Sequence, residues 1–129
     1  MSTALDRCKV KGLLTYLLVY AASADGRYVS RLNGAKLLGP KGVSAESDDH
    51  GRVAVVDNKA CNVVLYTADG RLASRIGTRG TGIRRVNHLS GPQYCALIPA
   101  QLSAQQSPAV VVTDFHNHTV KVAGCVVQS

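Results

Sequence analysis

The chain has no tryptophan and only one phenylalanine among its 129 residues, so large aromatic side chains cannot fill its interior. Hydrophobic residues nevertheless make up 46% of the sequence, which excludes the composition of a disordered tail. A core must therefore be built from valine, leucine, isoleucine and alanine, and these residues suit the packing of β-sheets. The length is that of one soluble domain.

Motifs for zinc binding and nucleophilic catalysis are also missing. The four cysteines are widely and irregularly spaced: Cys8, Cys61, Cys95 and Cys125. Because they include no Cys-x-x-Cys pair, we expect them to be reduced and to act as small hydrophobic residues. Without a third ligand, His116 and His118 do not make a metal site. No Gly-x-Ser-x-Gly elbow frames Ser90 or Cys95 as a nucleophile. The sequence thus predicts neither an enzyme nor a metal or cofactor site.

Residues 1–23 allow two interpretations. Basic residues precede the apolar run 12–22, and Ala22-Ser23-Ala24 follows it, which is the outline of a secretory signal peptide. The run is far too short to cross a bilayer as a helix, so no membrane partner is predicted. Alternatively, residues 8–11 and 17–20 have strand-like patterns, which would place the segment at the edge of a blade.

Residues 51–76 pack three β patterns and two turn signals into one unit. The predicted strands are 53–56, 63–66 and 72–76. Asp57-Asn58 bends the chain after the first strand. Asp69-Gly70 favours a tight hairpin after the second, since glycine adopts positive φ at no steric cost. The unit therefore reads as an antiparallel meander.

This unit recurs along the chain. Ala-Asp-Gly-Arg at 24–27 returns at 68–71, an offset of 44 (68 − 24), which suits a propeller blade of four strands. Downstream, Asp57 and its preceding valines return at Asp114, an offset of 57 (114 − 57). The longer offset predicts an insertion, most simply a lengthened surface turn at 99–108.

An Asn-His-Leu triplet behind glycine-spaced arginine carries a resemblance to a known family. The chain reads Gly-x-Arg-Gly-x-Gly at 77–82, then Asn-His-Leu at 87–89, then Gly-Pro at 91–92. This resembles the linker that gives NHL repeats their name. Residues 55–61 and 112–122 resemble consecutive NHL repeats of the tripartite-motif (RING, B-box, coiled-coil) ubiquitin ligases.

The resemblance implies an all-β fold, an incomplete β-propeller of about two four-stranded antiparallel NHL-type blades over residues 24–122. Residues 123–129 would be a truncated tail, and the remaining blades would belong to a longer chain, because an open array leaves edges and apolar faces bare. The RING of these ligases needs paired Cys and His zinc ligands, which this sequence lacks. The resemblance thus implies a cytoplasmic, non-catalytic module that recruits protein substrates for a ubiquitin ligase. The alternative is a surface for single-stranded RNA, as in several relatives.

Candidate binding residues come from loops that share one edge of the blades. The turn between the second and third strands and the loop to the next blade emerge together, because strand directions alternate. The residues concerned are Lys59, Arg79, Arg84, Arg85, His88, Phe115, His116 and His118. Residues 71–85 hold five arginines and no acid, and arginines beside an aromatic ring suit phosphates and unstacked bases.

Asp57 and Asp114 occupy the same place in the two repeats. We expect each carboxylate to accept hydrogen bonds from the backbone of its own turn, since aspartate at a strand end commonly closes such a loop. The resemblance adds Asn117 to these turn residues, because the family's turn usually carries asparagine there. Ala60 stands at the matching position of the first copy.

Overall fold

The computed structural model describes residues 7–12, 17–22, 28–31, 36–46, 51–81, 87–102 and 108–124, and for the first three of these ranges it describes the backbone alone. The strands are β1 Arg7–Gly12, β2 Leu17–Ala22, β3 Tyr28–Arg31, β4 Pro40–Ala45, β5 Val53–Asp57, β6 Asn62–Tyr66, β7 Leu72–Ile76, β8 Thr78–Arg79, β9 His88–Leu89, β10 Pro92–Ile98, β11 Ala109–Asp114 and β12 Thr119–Gly124. Two single turns of 3-10 helix lie at Ala100–Leu102 and Phe115–Asn117. Within the described ranges no helix has the length and hydrophobicity needed to cross a membrane.

The predicted all-β class is confirmed, and the strands form antiparallel meanders. Sheets β1-β2-β3, β4-β5-β6-β7 and β10-β11-β12 each follow chain order. The short strands β8 and β9 pair in parallel and form a fourth, two-residue ladder. No sheet formed by the described strands closes on itself.

The central strands form because apolar side chains cover both of their faces. Every residue of β5 is buried, and so is every residue of β6 except the half-buried Asn62. In β7, half-buried and exposed residues alternate, as in an outer strand. At the hairpin between β6 and β7, Gly70 has a φ of 85° and donates to the Thr67 carbonyl. The strands predicted at 53–56, 63–66 and 72–76 are therefore confirmed.

The repeat at the longer offset is visible in the backbone. Strand β4 carries a bulge between Pro40 and Gly42 where it pairs with β5. Strand β10 carries the same bulge between Pro92 and Tyr94 where it pairs with β11, 52 residues later (92 − 40). Part of the predicted insertion lies where expected, since the connection of β10 to β11 at 99–108 is three residues longer than the connection of β4 to β5 at 46–52 (10 − 7). The strands β10 and β11 are each one residue longer than β4 and β5.

The 44-residue repeat has its own matching bulge. The pairing of β6 with β7 shifts between Leu65 and Tyr66, and the pairing of β2 with β3 shifts between Ala21 and Ala22, 44 residues earlier (65 − 21). β1 and β2 therefore place residues from the 1–23 segment in a sheet. The strand pairing of this sheet has the same shift as that of the four-stranded sheet. A bulge bends its strand in a fixed way, so matching bulges give the sheets a similar shape.

The core lies on both faces of the four-stranded sheet. One face packs against the sheet of β10, β11 and β12 through Ala54, Val56, Cys61, Val63, Leu65, Leu89, Val110 and Val112. The other face is a second cluster of Val53, Val55, Val64 and Tyr66, with Leu37, Val43 and Leu72 packed against it. Aliphatic residues make up most of this core, as the sequence predicts, but the fully buried ring of Tyr66 is an aromatic member that the sequence interpretation did not include.

The first strands of neighbouring sheets approach each other very closely at Gly42. A Cβ atom at this glycine would lie 2.6 Å from the Gln93 carbonyl oxygen and 3.0 Å from the Tyr94 Cα atom. Because these are backbone atoms, no side chain can be placed there without moving the sheets apart. Strand β10 contacts both β4 and β5, and β1 contacts β4.

Candidate functional site

Three loops, in the parts that the structure describes, meet along one edge of the sheets, which we call the linker edge: residues 58–61, residues 77–81 with 87–91, and residues 115–118. β5 ends and β6 begins at this edge, β7 ends there, and β10 begins there, since the three larger sheets are antiparallel. The topology therefore brings together the loops that carry the candidate binding residues. Residues 82–86, with Arg84 and Arg85, lie outside the described residues.

Asp57 joins the first of these loops to the segment that enters β4. Its carboxylate accepts backbone hydrogen bonds from Leu38 and Gly39, both at 2.8 Å, and from Ala60 at 3.2 Å. The Ala60 bond is the own-turn bond expected from the sequence. The other two come from the segment before Pro40, so the aspartate connects two separate loops.

Asp114 holds the matching loop with a different set of donors. Its carboxylate accepts a backbone hydrogen bond from Ser90 at 2.7 Å, the side-chain amide of Asn117 at 2.7 Å and the Lys121 ammonium at 3.1 Å. Ser90 occupies the position that Leu38 has in the first repeat (90 − 52). The donor from the aspartate's own turn is thus a side chain, whereas the sequence predicted backbone donors.

The linker contacts both turns through two consecutive residues. Arg79 donates from Nη2 to the Lys59 carbonyl at 2.6 Å, in the turn between β5 and β6. Gly80 accepts a hydrogen bond from the Asn117 amide at 3.2 Å, in the turn between β11 and β12. The parallel ladder of β8 and β9 holds this segment in place. The two turns are therefore spaced by a hydrogen-bonded linker.

Basic and aromatic side chains of the linker edge face water. Lys59, Arg79, His116 and His118 are exposed, and Phe115 is 58% exposed. The Phe115 and His116 rings meet edge to face with centroids 5.2 Å apart. The two acids of these turns, by contrast, are buried and used internally. The exposed part of the edge that the structure describes is thus basic.

His88 takes a structural position rather than an exposed one. It is half-buried in β9, and its ring lies against Gly80, where a Cβ atom would come within 2.7 Å of Nδ1. Its backbone carbonyl accepts a hydrogen bond from the Lys121 ammonium group at 2.5 Å. Of the predicted binding residues that the structure describes, His88 alone is not exposed.

An open cleft of about 280 Å³ lies beside Phe115 on the sheet of β10, β11 and β12. Its walls are formed by Gln93, Thr113, Asp114, Phe115, His118, Thr119 and Val120. Small-molecule sites are typically about 300–1,000 Å³, so this cleft is at the small end of that range.

The described residues hold no cluster of metal ligands. Among them, no group of three or more His, Cys, Asp and Glu residues could hold a metal ion. Cys61 and Cys95 are free thiols, as predicted for them. Burial raises the pKa of the Cys95 thiol to about 12, which makes it a poor nucleophile.

The sequence interpretation missed Lys121, which is buried in β12 with 4% of its surface exposed. A signal was present, because the Val-Lys-Val alternation at 120–122 places the lysine on the face opposite its two neighbours. A lysine on an inward face requires an acceptor, and Asp114 and His88 supply it.

Neither a scan against protein-family models nor a search of curated proteins finds a match for this chain.

Proposed function

We propose that the chain is a non-catalytic recognition module made of NHL-type propeller blades, and that it binds its partner across the linker edge. The single observation that carries this proposal is the basic, exposed edge whose acids are buried. If the basic side chains reflected only the net charge of the chain, they would be scattered over its whole surface. Here the cations and an exposed ring lie on loops that hydrogen bonds hold together.

The proposal of blades is supported by the repeated meanders. The bulges recur at fixed offsets, and the first strands of consecutive sheets approach each other at Gly42. Inner strands that converge in this way are what blades around a common axis require. The Asn58 amide also donates to the Pro92 carbonyl at 2.8 Å, which joins consecutive sheets at the linker edge.

The proposed partner is an acidic segment of a protein, recruited as the substrate of a ubiquitin ligase in the cytoplasm. The ligase context rests on the resemblance to tripartite-motif proteins. The preference for acid rests on Lys59 and Arg79, which are exposed with no exposed acid nearby in the described loops. Such a field speeds the association of an acidic partner and discriminates against basic ones.

Single-stranded RNA is the second candidate, and the exposed ring of Phe115 favours it. Unstacked bases bind on aromatic faces beside cations that contact the phosphates. The ring lies next to a cleft of about 280 Å³ and to the exposed His116. An acidic peptide needs the cations but not the ring.

The test is a binding titration against salt with two matched variants. The first replaces Arg79, Arg84 and Arg85 with alanine. The control removes a cation from the opposite edge, replacing Arg71, which is exposed in the hairpin between β6 and β7, with alanine. We expect the first variant to weaken binding of an acidic peptide and the control to leave it nearly unchanged.

For RNA, the same arginine variant should lower the slope of log affinity against log salt by about two to three units, one per lost phosphate contact at most. Phe115→Ala should weaken RNA binding by about 1–3 kcal/mol with little change in that slope. Leu102→Ala, at an exposed residue on the opposite edge, is the matched control. If the arginine variant bound both the acidic peptide and the RNA as tightly as the parent does, the proposal would be contradicted.

A further inference from the structure

The open cleft beside Phe115 has a counterpart in the first repeat. The offset of 57 carries six of its seven lining residues onto the ends of β5 and β6 and the turn between them. Strand pairing agrees with this offset, because the aspartate of β11 pairs with the first residue of β12, as the aspartate of β5 pairs with the first residue of β6. The counterpart residues are Val56, Asp57, Asn58, Cys61, Asn62 and Val63.

A leucine of the linker fills this counterpart. Leu89 is 1% exposed. It shares one buried cluster with three of the counterpart residues, which are Val56, Cys61 and Val63. A Cβ atom at Gly77 would lie 2.6 Å from Leu89 Cδ1 and 3.5 Å from the Cys61 carbonyl oxygen. The leucine side chain therefore lies near the turn residue that corresponds to His118 (118 − 57).

A proline holds the same segment at its other end. Pro92 is fully buried at the start of β10, and its carbonyl accepts a hydrogen bond from the Asn58 side-chain amide at 2.8 Å. Asn58 corresponds to Phe115 (115 − 57). The segment that fills the counterpart thus reads Leu-Ser-Gly-Pro over residues 89–92, and its two anchored residues are three positions apart.

The cleft has the surface that such a segment needs. Val120 stands at the place of Val63, which clusters with the leucine, and it is 65% exposed. Phe115 stands at the proline end, and segments that contain proline bind in grooves lined by aromatic rings. Asp114 also lines the cleft, but it is buried and its carboxylate is bonded to the Lys121 ammonium. A leucine and a proline would therefore meet apolar side chains at the two ends of the cleft.

Tyr94 distinguishes a separate segment from another sheet of the same kind. It takes the place of Gly42 (94 − 52), after the same bulge. At Gly42, a Cβ atom would lie 2.6 Å from the Gln93 carbonyl oxygen of the next sheet. A sheet that stacked on β10 in this way would strike the tyrosine side chain. An extended segment that contacts only the cleft avoids this clash.

We propose that the cleft beside Phe115 binds an extended Leu-x-x-Pro segment of a partner protein, flanked by acidic residues. The leucine lies against His118 and Val120, and the proline lies on the Phe115 ring. The flanking acids complement the exposed cations of the linker edge. The inference rests on the proposed function, because it adds a sequence requirement to the acidic partner proposed there. The filled counterpart favours a peptide over a base, since a peptide segment occupies it.

The first test varies the ligand and leaves the protein unchanged. The probe is the synthetic peptide Asp-Asp-Leu-Ser-Gly-Pro-Asp-Asp, titrated with the full chain and followed by fluorescence anisotropy. Replacing its leucine with alanine should weaken binding by about tenfold, because most of a buried apolar side chain is lost. Replacing its proline with alanine should also weaken binding. Replacing its serine with alanine is the control and should leave binding unchanged.

The second test varies the cleft. Val120→Asn should weaken binding of the parent peptide several-fold, because an amide replaces an apolar contact. Val122→Asn is the matched control, since Val122 is an exposed valine of the same strand that does not line the cleft. The effect of Val120→Asn should disappear when the peptide carries alanine in place of leucine, because both changes remove the same contact. Circular dichroism checks that both variants remain folded.

The outcomes separate this inference from the proposed function. If acidic peptides bind equally well with and without the leucine and the proline, the inference is overturned and the proposed function stands. If no acidic peptide binds, both are overturned. A loss of single-stranded oligouridine binding in Val120→Asn, with peptide binding unchanged, would assign the cleft to a base and would also overturn the inference.

Discussion

The Lys121 ammonium group donates a hydrogen bond to the Asp114 carboxylate at 3.1 Å. Only 4% of the lysine side chain and 0% of the aspartate side chain are exposed. The same ammonium reaches the His88 carbonyl, so one buried lysine joins the last hairpin to the linker. The first repeat has no such pair, because Val64 stands at the matching position (121 − 57). The two hairpins are therefore similar in shape but held by different forces.

Lys121→Met should destabilise the protein strongly, by about 3–5 kcal/mol, because it leaves the Asp114 carboxylate buried without its cation. Lys41→Met removes the same charge from an exposed position and should have little effect. Urea denaturation measures both. A loss below about 1 kcal/mol in the buried variant would mean that Ser90 and Asn117 suffice to stabilise the carboxylate.

Asp57→Ala should destabilise by about 1–3 kcal/mol, since it leaves three backbone N–H groups without their acceptor. Asp69→Ala is the matched control, because Asp69 pairs only with exposed partners at the opposite edge. We expect no measurable change there. If Asp57→Ala lost binding at unchanged stability, the residue would belong to the binding surface instead.

Gly42→Ala should destabilise the protein more than Gly39→Ala, although Gly39 lies just before β4 and Gly42 lies only three residues later, within the strand. The added methyl at residue 42 meets the backbone of Gln93, which cannot move without separating two sheets. At residue 39 it meets the Lys59 stem, which can rotate away. We expect a loss of about 1–3 kcal/mol for the first variant and less for the second. Equal losses in thermal melts would contradict the close approach of the sheets.

Alkaline pH should lower the free energy of unfolding, because the Cys95 thiol is buried. Burial raises the pKa of this thiol from 9.0 to about 12, so the folded state keeps the proton that the unfolded state releases. The stabilisation is fully present below pH 9 and is lost as the pH rises through about 12. Burial also raises the pKa of Tyr66, which adds to the same trend.

Cys95→Ala should therefore show a shallower fall in stability above pH 9 than the parent. Denaturant midpoints at several pH values measure this fall. In the folded parent, Cys95 should also resist alkylation at pH 8, because little thiolate is present. Rapid labelling of Cys95 under native conditions would show that it is not shielded as the structure has it.

The meander of 51–76 was predictable because each strand ends at a strong local signal. Asp57-Asn58 and Asp69-Gly70 mark turns by their own backbone preferences, with no need of tertiary information. The bulges and the two-residue ladder of β8 and β9 were not predictable. Such short features have no periodicity, and they depend on which loop lies nearby.

The candidate site was predictable as a set of loops but not as a set of contacts. Alternating strand directions place Lys59, Arg79 and Phe115 on one edge whatever the details. That Arg79 donates to the Lys59 carbonyl, and that His88 lies against Gly80, depends on the path of the linker.

The meander topology has a consequence for the order of folding. Each large sheet pairs strands that are neighbours in the chain, whereas the contact between Gly42 and Gln93 joins residues 51 apart (93 − 42). Local pairings close short loops and form early, and distant ones follow. We therefore expect the hairpin of β5 and β6 to be formed in the rate-limiting step and the docking of β10 on β4 to come after it. The strain that a side chain at residue 42 introduces would then speed unfolding and leave the folding rate almost unchanged.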